Sequence, residues 1–295
     1  MQSTSRQYRW IIALVAIALI AIGIFLRDRQ TGVAMTEKAA PTRVDSQEPA
    51  VGEVTMADVL EMARAARQHL TGTLDDYTAR FVKQEMDRAG VVGPEEEMKI
   101  KVQTRVRGDR EDAPLRVYLR FLEPESLKGR EVIWAEDLYD GKMAVHEVGL
   151  LLSLKTLWLD PEGIIAMQGQ RYPITHIGLV GLVDQLIERG EKDVDDPNVS
   201  VTLTDNHSYD GLSTQLIRVR RAQPSSEPDD FSLAEIVIDP ERQLVLSFRS
   251  FGWPGEEGGP PPILESYSYY EVETNVGLTD ADFDTGNPEY QFPAL

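Results

Sequence analysis

The sequence predicts an α+β chain: one large, strongly curved antiparallel sheet of about ten strands, with helices packed on its concave side and a transmembrane helix in front. Three observations carry this reading. A 17-residue uncharged apolar run, Trp10–Leu26, stands near the start; two later stretches have helical periodicity; and most of the remainder alternates apolar and polar residues. Helix, many strands, helix, many strands is an α+β order, and no fixed-period repeat suggests a propeller or solenoid.

Residues 1–9 form a tail. As a helix, Trp10–Leu26 spans about 26 Å at about 1.5 Å per residue, just under a hydrocarbon core of roughly 30 Å. Trp10 and Arg27 supply interfacial ends, so the anchor is placed at residues 10–28. The run exceeds a usual secretory core, leads directly into "RDRQ" and lacks a small-x-small cleavage site, which favours an uncleaved signal anchor over a cleaved signal. Arg6 and Arg9 before it balance Arg27 and Arg29 after it, and the short tail with its free amine puts the N-terminus inside and the body outside. Residues 29–54 mix Thr, Ala, Pro, Glu and Ser without periodicity and read as a flexible linker; the folded domain takes residues 55–295.

Thr55 and Asp58 make a capping box for a helix from Thr55 to Leu70, with Met56, Val59, Leu60, Ala63, Ala66 and Leu70 as its apolar stripe and Gly72 as its stop. Strands follow in "DDYTARFVKQEMDR", in "MKIKVQTRVR" (Met98–Arg107), in "PLRVYLRF", at Arg130–Ala135 and at Lys142–Val148, the last two separated by a tight turn at Asp140-Gly141. Gly149–Gly169 is too apolar for a half-wet strand, with Leu150, Leu151, Leu152, Leu154, Leu157, Trp158, Leu159, Ile164, Ile165 and Met167 crowded together. A second helix is expected at Thr175–Glu188, stopped by Gly190. Strands return at Val199–Thr204, Ser213–Arg220, Leu233–Asp239, Gln243–Phe251 and Ile263–Val272, with "DNHSYDG", "AQPSSEPDD", "DPER" and "WPGEEGGPPP" as connections.

Composition excludes several chemistries. The chain has no cysteine, so disulfides, thiolate catalysis and cysteine-ligated metal are out. Six of 30 basic and four of 49 acidic side chains lie in residues 1–50, which leaves 24 against 45 in the body, a net −21. Such a body repels phosphate backbones, so nucleic acid is not an expected partner. Of the four histidines, none belongs to an HExxH; His146 and Glu147 are strand neighbours pointing to opposite sides, and His207 falls in a turn. "DADFDTG" at 280–286 has its glycine one place late for an EF-hand and Gln291 where a bidentate Glu is needed. Walker A, GxSxG and GxGxxG motifs are absent. The expectation is therefore no catalytic residue, no metal and no cofactor. An enzyme would require His146 or His207 to converge with carboxylates in a pocket.

Several stretches together resemble a known family: "LDDYTARFVKQE", "KIKVQTR", "PLRVYLRFLEP", "GREVIW", "LYDGKMAVH" and, closing the chain, "SYSYYEVETNVGLTDADFD". They are similar to the uncharacterised bacterial domain of unknown function numbered 1571, whose members look like distant relatives of LolA/LolB-type lipoprotein carriers and of anti-sigma regulators with the same fold. The similarity runs from about Met56 to Phe292, and Asn275, Gly277, Leu278 and Phe283 carry its most specific part. The resemblance implies a LolA-like open, unclosed β-barrel of about eleven strands, covered by helices, with an apolar cavity for acyl chains; no ligand-gripping residue is carried over.

Candidate cavity-lining residues are Phe81, Val102, Leu119, Trp134, Leu154, Trp158 and Ile165. The expected activity is non-enzymatic binding of lipid or lipoprotein by a domain held in the periplasm on a single-pass inner-membrane anchor. The alternative is an envelope regulator or scaffold that binds a protein partner through a sheet edge or the concave face. Lys99, Lys101, Arg105, Arg107, Arg116 and Arg120 form a basic outer patch that suits an acidic partner or anionic headgroups.

Overall fold

Residues with period-two alternation cannot bury their apolar set except against a second layer, and here two helices supply that layer. The computed structural model describes residues 50–87, 89–107, 112–149, 153–226, 230–256 and 259–293, all within the compact unit Gln47–Leu295. The expected span at 10–28 and most of the linker lie outside the described residues, as do Leu150–Leu152; no described helix is long and apolar enough to cross a membrane.

The strands are β1 (Val51–Val54), β2 (Asp76–Glu85), β3 (Glu96–Gln103), β4 (Arg116–Glu123), β5 (Glu131–Ala135), β6 (Met143–His146), β7 (Leu157–Leu159), β8 (Val199–Tyr209), β9 (Leu212–Arg221), β10 (Leu233–Asp239), β11 (Leu244–Phe251) and β12 (Ile263–Thr274). They form one 12-stranded antiparallel sheet in the order β1-β8-β9-β10-β11-β12-β2-β3-β4-β5-β6-β7. The sheet is unclosed, with β1 and β7 as its edges. Register shifts in the β8–β9, β10–β11, β11–β12, β12–β2 and β3–β4 pairs add the local bends that a curved sheet needs.

Helices α1 (Met56–Thr73) and α2 (Leu179–Asp193) are the two long crossovers. One carries the chain from edge strand β1 to central β2, the other from edge strand β7 to β8, and they pack on each other over one face. The Thr55/Asp58 capping box opens α1 as expected. Gly72 does not stop it; the helix runs to Thr73 and ends where Leu74 turns extended. The second helix begins four residues later than its periodicity suggests, because Ile174–His176 forms a short 3-10 turn and Gly178 takes φ 121°. The buried hydroxyl of Tyr77 accepts the Leu179 backbone N–H at 3.2 Å, supplying the cap that Gly178 lacks.

Gly190 lies inside α2 rather than after it. A Cβ there would stand 3.0 Å from Leu60 Cδ2 and 3.5 Å from Met56 Sδ, so the glycine serves the close approach of the two helices. Two other expectations are corrected at the ends of strands. Val51–Val54, expected as linker, pairs with β8 because its backbone meets an available edge. "DNHSYDG" is mostly strand: β8 runs through it to Tyr209, and Asp210-Gly211, both at positive φ, make the turn.

The helix-facing side of the sheet holds the main core. Tyr77, Ala79 and Phe81 of β2, Met98, Ile100 and Val102 of β3, Val117, Leu119 and Phe121 of β4, and Val132 and Trp134 of β5 pack with Leu60, Leu70, Leu179 and Val183 of the helices. A second, smaller core lies on the other face, where Tyr118, Ile133 and Ala144 meet Phe283 and Phe292 of the C-terminal segment. Covering both faces explains why β5 and β6 are buried at every position.

Candidate functional site

Between the helices and the β9–β11 half of the sheet the packing leaves an apolar cavity of about 60 Å³, lined among others by Ala63, Ala66, Leu186, Ile217 and Phe248. None of the seven candidate lining residues borders this cavity; four of them, Phe81, Val102, Leu119 and Trp134, lie in the packed core on the same face of the sheet. Phe81 stacks against Tyr267 and packs tilted against Tyr269, and the Trp134 indole N–H donates to the Gly141 carbonyl. The other three do not join them. Leu154 and Ile165 are 67% and 65% exposed, and Trp158 pairs with Ala144 and lies against Tyr139 on the opposite side of the sheet. Their neighbour Ile164 is 93% exposed.

Toward one end of the helix-facing side the apolar surface gives way to charge. Positions 77, 79 and 81 are apolar, but the same face of β2 continues with Lys83 and Glu85, and β12 presents Glu265 and Tyr267 beside them. Arg189 of α2 donates to Glu265 at 2.7 Å and to the Tyr172 hydroxyl at 2.6 Å. The Tyr267 hydroxyl donates to Glu85 at 2.7 Å, and the Arg171 backbone N–H donates to the same carboxylate at 2.8 Å. Lys83 bonds Gln170 and lies 3.4 Å from Glu96. Burial and the adjacent Glu265 and Glu85 carboxylates push the Tyr267 phenol far up, so it stays a donor. This cluster fastens α2 and the segment before it onto the sheet. Charged residues at inward positions of an alternating strand were the available sign of it.

On the outer face the basic patch is largely neutralised. Lys101 pairs with Asp282, Arg105 with Glu136, and Arg116 with both Asp137 and Asp280, while Arg107 donates to two backbone carbonyls. The segment after β12 provides two of those acids. It is tied down by Asp76, whose carboxylate accepts the N–H groups of Gly277 and Leu278, and by Asn275, which bonds Asp75 N–H and the Thr73 carbonyl.

The family described as "Protein of unknown function (DUF1571)" matches residues 74–292. The chain belongs to this DUF1571 family. Within it, Asn275, Gly277, Leu278 and Phe283 act structurally, clasping the C-terminal segment to the start of β2 and plugging the outer core. No curated protein matches the chain. Among solved structures it is similar to a DUF1329 family protein from Desulfovibrio piger, at 14% identity over 78% of this chain and 97% of that one, with a TM-score of 0.36. An outer membrane lipoprotein-sorting protein domain from Vibrio parahaemolyticus gives 9% identity, 78% and 97% coverage and a TM-score of 0.34. A LolA superfamily protein from Nitrosomonas europaea gives 11%, 78% and 98%, and 0.27.

The histidines do not converge. His146 lies on β6 opposite Glu131, under Phe292, whereas His207 lies on β8 near the other edge of the sheet. His69 and His176 are exposed. Among the described residues no group of three or more acids and histidines is arranged to hold a metal.

Proposed function

We propose that this protein is a non-enzymatic, membrane-anchored binding protein that takes lipid or lipoprotein acyl chains between its two helices and the apolar face of its open sheet. The supporting observation is that two helices, with the segment before the second, lie on that face over a cavity of about 60 Å³ with apolar walls. A cavity that holds only a few waters does not admit an acyl chain, so uptake requires the helices to lift. On their exposed side they are joined by Arg64–Glu191 and Arg67–Asp184, surface pairs worth about 0–1 kcal/mol each. Phe81, Val102, Leu119 and Trp134 would line the opened space, and the exposed Leu154 and Ile165 would meet the acyl chain at the β7 rim, whereas Trp158 lies on the other side of the sheet. Residues 10–28 would hold the domain at the inner membrane, facing the periplasm.

Native mass spectrometry of the full chain purified from membranes tests this reading. Adducts of lipid mass are expected; protein that never carries lipid would sink it.

A second reading, an envelope scaffold for a protein partner, draws on the exposed edge strand β1, whose outward backbone groups can accept another strand. In-cell crosslinking from position 51 or 53 would then trap one dominant protein.

A further inference from the structure

The outer face carries a groove of about 390 Å³ between strands β2–β4, the end of β12 and the C-terminal segment. This is the opposite side of the sheet from the space the helices cover. Arg80, Lys99 and Arg120 stand side by side across three strands, Arg80 opposite Lys99 and Lys99 opposite Arg120. Like charges placed directly opposite on an antiparallel pair repel, so such a row weakens the sheet unless an anion answers it.

Arg80 has its answer: it pairs with Glu271 and Glu97 and lies 4.4 Å over the Tyr270 ring. Lys99 and Arg120 have no carboxylate within ion-pair distance among the described residues, in a body where acids outnumber bases by 45 to 24. Glu273 and Glu289, which line the same groove, likewise have no cation within that distance among the described residues. Tyr118 and Tyr290 stack at 4.1 Å as an aromatic wall. The groove's size falls within the range of small-ligand sites, and it offers unanswered charge of both signs.

We propose that this groove binds a small zwitterion, its phosphate or carboxylate on Lys99 and Arg120 and its ammonium toward Glu273 and Glu289. Three glutamates in the lining, Glu271 among them already paired with Arg80, disfavour a polyanion. The site is independent of acyl-chain binding on the other face, so either reading can fail alone.

Isothermal titration of the full chain with glycerophosphoethanolamine, glycerol phosphate and ethanolamine tests the assignment. The zwitterion is expected to bind at least about tenfold more tightly than either half, and the Lys99→Gln, Arg120→Gln double variant to lose that binding at least about tenfold. The variant should melt no lower than wild type, because removing the repulsion relieves the row. Competition by vesicles containing phosphatidylethanolamine would identify the ligand as a bilayer headgroup, and its absence alongside binding of the free zwitterion as a soluble one. No binding of the zwitterion, equal binding of glycerol phosphate, or a double variant that binds as wild type would overturn the proposal.

Discussion

The Asp76 carboxylate accepts the backbone N–H of Leu278 at 2.9 Å, across 202 positions of sequence. Its other oxygen takes the Gly277 N–H at 3.2 Å, and the side chain is buried. Two donors of the C-terminal segment thus depend on the first residue of β2. Asp76→Ala leaves both unsatisfied and should cost about 2–4 kcal/mol in urea unfolding, whereas Asp76→Asn, which keeps one acceptor, should cost roughly half as much. Equal losses for the two variants would show that the carboxylate's second oxygen contributes nothing.

Arg189 and Glu265 join the second helix to the sheet, with the carboxylate buried and the guanidinium part-exposed. Glu265 is 2% exposed, and breaking such a pair typically costs about 3–5 kcal/mol because a charge stays buried alone. Arg171 lies 3.7 Å away and the Ser250 and Tyr267 hydroxyls also reach the carboxylate, so Arg189→Met should fall at the low end, about 3 kcal/mol. Adding Glu265→Gln should restore part of that loss. Hydrogen exchange should show faster opening of residues 179–193 in the single variant; unchanged protection there would refute the idea that this pair holds the helix down.

The strands that alternate cleanly were legible because one face is dry and the other wet. Tyr77, Ala79, Phe81, Met98, Ile100 and Val102 all face the helices as the period requires. The Leu-rich stretch after Gly149 misled for a physical reason: apolar content does not say which side covers it, and Leu154, Ile164 and Ile165 lie on the surface around edge strand β7. Strand β1 has almost no pattern of its own and exists through the backbone bonds that β8 offers. Gly190 carries the ordinary sign of a helix end, and only the position of Leu60 on the other helix reveals it as a packing residue. The charged end of the helix-facing side was readable in principle, since Lys83 and Glu85 fall on the dry period of β2.

Filling the small cavity should separate stability from binding. Ala63 lines it from the first helix and is half-buried, so Ala63→Leu adds carbons to empty apolar space in a position that favours helix formers. The variant should gain about 0.5–2 kcal/mol in chemical denaturation and lose lipid adducts in native mass spectrometry. A stabilised variant that still carries lipid would move the binding site away from the helix–sheet space.

The ion pair between Lys101 and Asp282 fixes a pH dependence. Burial alone would raise Asp282, but the bonds from Lys101 at 2.7 Å and from Thr279 outweigh it and hold the carboxyl below its ordinary value of 3.8. Asp137 is likewise held low, chiefly by Arg116. A group whose value is depressed on folding contributes stability that is fully present above the unfolded value and is lost as pH falls through the folded one. The difference in unfolding free energy between wild type and Asp282→Asn should therefore be constant, at about 1 kcal/mol, from roughly pH 5 to 8 and shrink below about pH 4. Lys101 is shifted up, since Asp282 and Tyr290 outweigh its burial, so its own contribution is present throughout that range and disappears only in strong alkali. Melting curves of the two proteins across the acid range measure this directly: parallel pH profiles would mean that Asp282 keeps its ordinary value and that the C-terminal segment is held without this pair.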